Sequence, residues 1–358
     1  MSGRSTWVEI STAALGSNFR EVAGHSGAPV CAVVKANGYG HDLVLAGRAF
    51  AQAGAEMLGV TRIEEARALR AADIAAPVLI MVPAADPAEA VALGCEIVAC
   101  SREEISSLPA GARVHLKIDT GMGRLGVRPE DAAEAARAVT ARATLAGVWT
   151  HLADAAKPSG RAQVQQFADV VASLRSAGMH FVAHCANSAA VIRRPDARFD
   201  MVRVGTALYG MDPPGVHAPW TKREALTWYA RVASVRTLPA GATVGYGSEW
   251  RAKAPTRVAT VPVGYADGFT LEPRARTETL GAAVKTFLRS VATVARPQRS
   301  ARAVLFGERR APVVGRVAMQ AATVVVDDMP DVAIGSVARI PARRVTISSS
   351  IERIEVRA

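Results

Sequence analysis

The sequence predicts a (β/α)8 TIM barrel followed by a smaller, mostly-β C-terminal domain, an α/β chain in two parts. Three observations carry that expectation. Eight short apolar, β-branched runs recur through the first 210 residues, and Ala-rich stretches of helical spacing lie between most of them. The pattern then changes after Met211-Asp212-Pro213-Pro214. Repeated strand–helix units of this length suit a parallel barrel, whose strands are covered on both faces.

The runs are Val30–Val34, Glu56–Val60, Val78–Val82, Glu96–Ala99, Val114–Ile118, Thr144–Thr150, Phe181–His184 and Asp200–Val204. Helical segments include Leu43–Gly54, Ile63–Ala72, Glu130–Thr140 and Ala162–Gly178. A doubly wound open sheet is the competing arrangement. Beyond Pro214, short alternating segments stand between Gly and Pro turns: Ala230–Leu238, Arg257–Val263, Ala321–Val326 and Val337–Ile340. They read as strands of an all-β domain. The expected division is a barrel over 10–222 and a β-rich domain over 223–358, which residues 1–9 join.

The 358 residues are 50% hydrophobic, enough for a large buried core. Met1–Thr12 lacks the apolar core of a signal peptide, and no run approaches the roughly 18 apolar residues of a membrane span. Four cysteines without paired metal spacing (Cys31, Cys95, Cys100 and Cys185) suggest reduced thiols in a cytoplasmic protein. The net charge is +11, and the stretch from Thr279 to Gly307 carries Lys285, Arg289, Arg296, Arg299 and Arg302 with no acid. With only Phe287 and Phe306 as aromatics and no binding motif, it reads as a solvated insertion rather than a nucleic-acid surface. Lysine is scarce, 6 of the 43 basic residues, yet Lys35 and Lys117 both stand at strand ends. A salt bridge or solvated face would accept arginine there; imine chemistry needs the primary amine.

In a barrel, chemistry gathers at the carboxyl ends of the strands. Lys35 ends the first run in Val33-Val34-Lys35-Ala36-Asn37-Gly38-Tyr39-Gly40-His41. Desolvation there would make it a nucleophile or base; a snorkelling lysine is the plainer alternative. The fifth run leads into His115-Leu116-Lys117-Ile118-Asp119-Thr120-Gly121-Met122-Gly123-Arg124, where Arg124 offers a planar hydrogen-bonding fork. The sixth ends at His151, the seventh at His184-Cys185-Ala186-Asn187-Ser188, and the eighth at Val202-Arg203-Val204-Gly205-Thr206. Loops after strands seven and eight commonly hold phosphate in barrels, a role that suits Ser188, Gly205 and Thr206. A phosphate site facing a strand-one lysine is what a pyridoxal 5′-phosphate (PLP) enzyme needs.

These motifs, in this order, resemble the alanine racemase family, which pairs a PLP-binding barrel with a β domain. The resemblance puts the cofactor on Lys35 as an imine and a phosphate contact on Tyr39. It gives Asn187, Ser188, Gly205 and Thr206 to the phosphate, and Arg203 to the pyridine nitrogen. Lys117 matches a lysine often carbamylated in the family, which orients the arginine corresponding to Arg124. Gly245-Tyr246-Gly247 matches the motif of the second catalytic base, and Val263-Gly264-Tyr265-Ala266-Asp267-Gly268 matches another signature. The resemblance implies a homodimer with shared active sites, in which Lys35 and the partner's Tyr246 work from opposite faces of the substrate. His151, between Tyr246 and Arg203, would help the tyrosine act as a base. Arg124, Tyr265, Met319 and Gln320 are the candidate substrate contacts, and no metal is expected.

The chain departs from the family at three places. Gln320 follows Met319 where an aspartate is usual, and no tyrosine stands in Val345-Thr346-Ile347-Ser348-Ser349-Ser350. The basic segment from Leu271 to Gly307 is longer than the usual connection. A wider pocket would follow, accepting serine alongside alanine. Three rival classes compete with a racemase. One is a PLP carrier without catalysis, another a PLP decarboxylase of the same plan. The third is a metal-dependent barrel hydrolase using His151, His180, His184 and Asp119.

Overall fold

Eight parallel strands lie side by side in the computed structural model, which describes residues 3–271, 284 and 302–356. They are β1 (Val30–Val33), β2 (Met57–Val60), β3 (Val78–Ile80), β4 (Cys95–Ala99), β5 (Arg113–Lys117), β6 (Thr144–Trp149), β7 (Val182–His184) and β8 (Val202–Val204). Their order is β7-β6-β5-β4-β3-β2-β1-β8, every pairing parallel. The edges β7 and β8 meet through two backbone hydrogen bonds, Asp200 N–H to Ala183 O (3.0 Å) and Arg203 N–H to Ala186 O (2.8 Å). The sheet therefore closes into a barrel.

Local chemistry explains the helices that follow the strands. Side-chain oxygens of Ser11, Asp42, Asp86, Ser101 and Asn187 cap helix N-termini by accepting backbone N–H bonds. Helix Pro158–Ser176 begins four residues before the Ala162 start that the sequence predicts, because a proline suits the first helical turn, where its missing N–H costs nothing. Helix Thr12–Ser26, ahead of β1, packs on Leu43–Gln52 and Ser188–Arg193 and fills the outer layer beside the β8 seam. Buried Asn18 locks the end of this unit: its Nδ2 donates to Arg223 O (2.9 Å) and its Oδ1 accepts from Arg223 N–H (2.8 Å).

The barrel unit comprises Ser11–Ala225 with Glu355 and Val356, and a second unit contains the described residues up to Ile10 and within Leu226–Ile354. The second unit is built on a nine-stranded sheet whose observed pairings are antiparallel, plus a two-strand ribbon, Thr243–Val244 with Trp250–Arg251. The predicted strand Ala230–Leu238 is in fact two, Leu226–Arg231 and Ser234–Leu238. The break falls where Val232 N–H turns to Ser336 O (2.9 Å) and Ala233 N–H to Thr260 O (2.8 Å), so the chain passes between two partners. Val232 and Ala233 are both apolar, so one apolar-rich run spans the break and the sequence hides it. Of the basic segment, Arg302 leads into a strand, Ala303–Phe306, while residues 272–283 and 285–301 lie outside the described residues. No described helix is long and apolar enough to cross a membrane.

Asn18→Leu is expected to lower the unfolding free energy by about 1–3 kcal/mol per orphaned group, since it strands the N–H and C=O of Arg223. Urea unfolding followed by circular dichroism measures it; a loss below about 0.3 kcal/mol would contradict this locking role.

Candidate active site

Lys35 follows β1 and opens an unusual turn. Ala36, Asn37, Gly38 and Tyr39 all take positive φ (55°, 53°, 60° and 52°), one turn of left-handed helix. For L-residues this costs about 1–2 kcal/mol each, so the surroundings must hold it. Glu65 does so from helix Ile63–Ala71, with Oε1 accepting from Ala36 N–H (2.7 Å) and Oε2 from Thr61 N–H (2.9 Å) and Arg62 N–H (3.2 Å). Asn37 Oδ1 accepts from Leu43 N–H (2.9 Å), and the Tyr39 ring stacks on buried Tyr209 at 4.8 Å. Tyr209 in turn donates to Val33 O (3.0 Å). Only glycine fits at position 38, where a Cβ would stand 2.9 Å from Ala46 Cβ. Glu65 was not singled out from sequence; its signal is an acid in the first turn of a helix after a strand-end threonine.

A cavity of about 690 Å³ opens at the carboxyl ends of the strands. Ten residues expected at the site line it: Lys35, Tyr39, Lys117, Arg124, His151, Asn187, Ser188, Arg203, Gly205 and Thr206. Four are cationic side chains, against one lining carboxylate, Asp154, which already pairs with Lys157 (3.0 Å). Burial and then Arg124 lower the Lys35 pKa, although Glu65 pulls the other way. Burial lowers Lys117 to about 8, and Arg203 and Arg124 add to the effect. His151 falls to about 3 through burial and the cations around it, Arg203 first, and so is neutral at pH 7. Such a cavity is built for an anion.

One end of the cavity fits a phosphate. Asn187 Oδ1 accepts from Ala189 and Ala190 N–H (both 3.1 Å), which sets the loop after β7. Ser188 Oγ accepts from Ala207 N–H (3.3 Å) and ties that loop to the turn after β8. A Cβ on Gly205 would stand 2.3 Å from the Tyr39 hydroxyl, so the bare backbone is what admits that hydroxyl. Tyr39 O–H, Ser188 O–H and the Gly205–Thr206 backbone thus meet around one space.

Arg203 sits at the other end, buried. Its Nη1 donates to His184 Nδ1 (2.9 Å), and its Nη2 to Thr150 O (3.0 Å) and His151 Nδ1 (3.2 Å). Trp149 lies beneath, with the Arg203 guanidinium 4.2 Å and Lys117 Nζ 4.4 Å from its ring centroid. The sequence reading passed over Trp149, though a large aromatic just before a strand-end Thr150-His151 is a usable signal.

The remaining candidates belong to the second unit. Tyr246, Tyr265 and Met319 are 73%, 46% and 60% exposed, and Gln320 is exposed as well. Their loops interlock: Tyr265 N–H donates to Ala318 O (3.1 Å), Ala266 N–H to Met319 O (3.0 Å), and Gln320 Nε2 to Asp267 Oδ1 (3.5 Å). Gly245 packs against the backbone of Arg316. The Ser348 N–H reaches Asp267 O (3.0 Å), so the C-terminal turn lies on the same loop, with Ser349 exposed. Three of the four residues of the metal-hydrolase reading, Asp119, His151 and His184, are engaged by other groups. Asp119 Oδ1 accepts three backbone N–H bonds (Gly121, Met122 and Gly123), His184 bonds Arg203, and His180 is exposed. Among the described residues no group of three or more His, Cys, Asp or Glu could hold a metal.

Family models match both parts of the chain: "Alanine racemase, N-terminal domain" over residues 10–213 and "Alanine racemase, C-terminal domain" over 225–356. The alanine racemase of Symbiobacterium thermophilum is 38% identical over 345 residues, covering 91% of this chain and 85% of its own. That of Deinococcus radiodurans is 37% identical over 339 residues, covering 92% and 88%. Among solved structures, the alanine racemase of D-cycloserine-producing Streptomyces lavendulae superposes with a TM-score of 0.83 at 30% identity, over 100% of this chain and 98% of that one. These relatives favour alanine over the wider substrate range and over the carrier and decarboxylase readings. The chain belongs to the alanine racemase family, PLP-dependent isomerases that interconvert the two hands of a small amino acid.

Proposed function

We propose that the chain racemises alanine in the cytoplasm with pyridoxal 5′-phosphate held on Lys35, as a homodimer in which Tyr246 of the partner subunit completes each site. The observation that carries this reading is the convergence of Lys35, Tyr39, Ser188, Arg203 and Gly205 on one cation-rich cavity. The residues fit the cofactor. Tyr39, Asn187, Ser188, Gly205 and Thr206 would hold its phosphate, and Arg203, with two N–H groups unused among the described residues, its ring nitrogen. When bound, the cofactor supplies the electron sink that makes an amino acid α-proton removable.

The protein supplies the proton handling. Lys35, its pKa lowered by burial and by cations, gives up its proton more readily than an ordinary lysine. Arg203 donates hydrogen bonds but no proton, so it grips the ring nitrogen without protonating it. Neutral His151 accepts from Arg203 at Nδ1 and therefore carries its proton on Nε2, where it can donate to a tyrosinate. A free tyrosine has a pKa of about 10, so that donor is what lets Tyr246 of the partner subunit serve as a base. Lys35 and that tyrosine work from opposite faces: one removes the α-proton, the other returns one from the far side, and the carbon inverts. Arg124 meets the substrate carboxylate, with Tyr265, Met319 and Gln320 shaping its approach. The lowered pKa of Lys117 suits carbamylation, in which the amine adds CO2, releases a proton and gains a negative charge facing Arg124.

Reconstituted protein is expected to absorb near about 420 nm, and borohydride reduction should fix the cofactor's mass on the peptide containing Lys35. Lys35→Ala should lose both signals; a label on any other lysine would refute the assignment. A shared site makes a second outcome computable. Mixing inactive Lys35→Ala and Tyr246→Phe protomers should restore about a quarter of wild-type activity, because half the dimers are mixed and each has one intact site. No recovery, with mixed dimers verified by native mass spectrometry, would place Tyr246 in the site of its own chain.

A further inference from the structure

A line of hydrogen bonds leads away from the cavity through the barrel interior. From Arg203 it passes to His184 Nδ1 (2.9 Å), from His184 Nε2 to His115 Nδ1 (2.8 Å), and from His115 Nε2 to Glu96 Oε2 (2.6 Å). Glu96 is the second residue of β4, near the amino ends of the strands, and its Oε1 accepts from Arg113 Nε (2.7 Å) at the start of β5. His184 and His115 are 0% and 1% exposed, and Arg203 is 3% exposed. Arg203 has no ion pair among the described residues, and Glu96 is the first carboxylate its hydrogen bonds reach.

We propose that Glu96, His115 and His184 are positioning residues that hold Arg203 in a fixed hydrogen-bonding direction toward the cofactor ring; the last step rests on the cofactor site proposed above. Chemistry at the two ends, a donor-only guanidinium and an acceptor-only carboxylate, together sets every proton in the line. Arginine is donor-only, so His184 Nδ1 must accept. A neutral His184 then carries its proton on Nε2 and donates it to His115 Nδ1. His115 must in turn carry its own proton on Nε2 and donate it to an ionised Glu96. Any other arrangement sets two donors or two acceptors face to face inside the barrel, where an unmet polar group costs about 1–3 kcal/mol. Burial, with His115 and Arg203 adding, drives the His184 pKa well below the usual value, which agrees with a neutral ring. Burial would raise the Glu96 carboxyl, but hydrogen bonds from His115 and Arg113 hold it below the usual range.

The barrel makes room for this line. A Cβ on Gly147 of β6 would stand 2.2 Å from His115 Nδ1, so glycine is what admits the ring. The β5–β6 register slips between Val114 and His115, an irregularity of the kind that re-aims a side chain. Trp149 lies flat against the His184 ring (centroids 5.8 Å, 1° between planes) and against the Arg203 guanidinium, which keeps ring and guanidinium aligned. Barrel interiors are usually layered with branched aliphatic side chains, and here the polar groups satisfy one another instead. A carboxylate that fixes an imidazole's tautomer for a partner beyond it is an established device in hydrolases.

The test begins on apoprotein with 15N-histidine labelling. Long-range 1H–15N spectra at pH 7, assigned through His115→Gln and His184→Gln, should find both rings neutral and protonated on Nε2. Glu96→Gln keeps an acceptor for His115 and should retain these tautomers, with kcat of the loaded enzyme within about threefold of wild type. Glu96→Leu removes the acceptor; His115 should then populate Nδ1–H, and kcat should fall about tenfold or more while the alanine KM stays within about twofold. An imidazolium or an Nδ1–H on His184 in the wild type would overturn the proposal. So would wild-type tautomers and kcat in Glu96→Leu, or a tenfold loss in Glu96→Gln with its tautomers intact. If Glu96→Leu does not fold, the wild-type spectrum and Glu96→Gln decide. The apoprotein spectra stand whether or not PLP binds, so failure of the cofactor reading is separately visible.

Discussion

A guanidinium buried at the mouth of the barrel organises this site. Arg203 gives one N–H to His184, one to Thr150 and one to His151, and lies over Trp149. Because arginine can only donate, it dictates which nitrogen of each neighbouring histidine must accept. On the cavity side that leaves His151 with a proton on the nitrogen facing away from Arg203. On the core side it sets the direction of a line ending at Glu96. One residue thus couples the acid–base state of the site to the packing beneath it.

The second constraint is the strained turn after Lys35. Four left-handed residues do not persist unaided, and Glu65, Asn37 and the Tyr39–Tyr209 stack hold them from three directions. The same stack sets the Tyr39 hydroxyl against Gly205, so strain at the lysine and geometry at the Ser188–Gly205 end of the cavity are one arrangement. The cation excess completes it. Arg124 and Arg203 depress Lys35 and Lys117, and all four depress His151, leaving amines and an imidazole that are neutral more readily than usual. An anionic ligand relieves that crowding as it binds.

Much of this was legible in the sequence because the chemistry demands particular residue types at strand ends. Lys35 stands out against an arginine-rich background, and Ser188, Gly205 and Thr206 fall after the two strands where barrels hold phosphate. What sequence could not show depends on neighbours across strands. His115 and His184 sit within strands, where a polar residue reads as ordinary packing, and Glu96 becomes their anchor only when β4 lies against β5. The left-handed turn is equally hidden, since Ala36 and Tyr39 have no preference for that conformation and only Gly38 and Asn37 hint at it. The split of Ala230–Leu238 escaped for the opposite reason: apolar Val232 and Ala233 stand side by side at the break, and a single apolar-rich run spans it.

The central claim is that Arg203 holds the cofactor's ring nitrogen by donating to it and cannot protonate it. Solid-state NMR of the enzyme loaded with PLP labelled with 15N in its ring tests this directly at pH 7. A resonance in the range of an unprotonated pyridine is the expected result. A pyridinium resonance would contradict the account, because arginine donates hydrogen bonds but does not give up a proton.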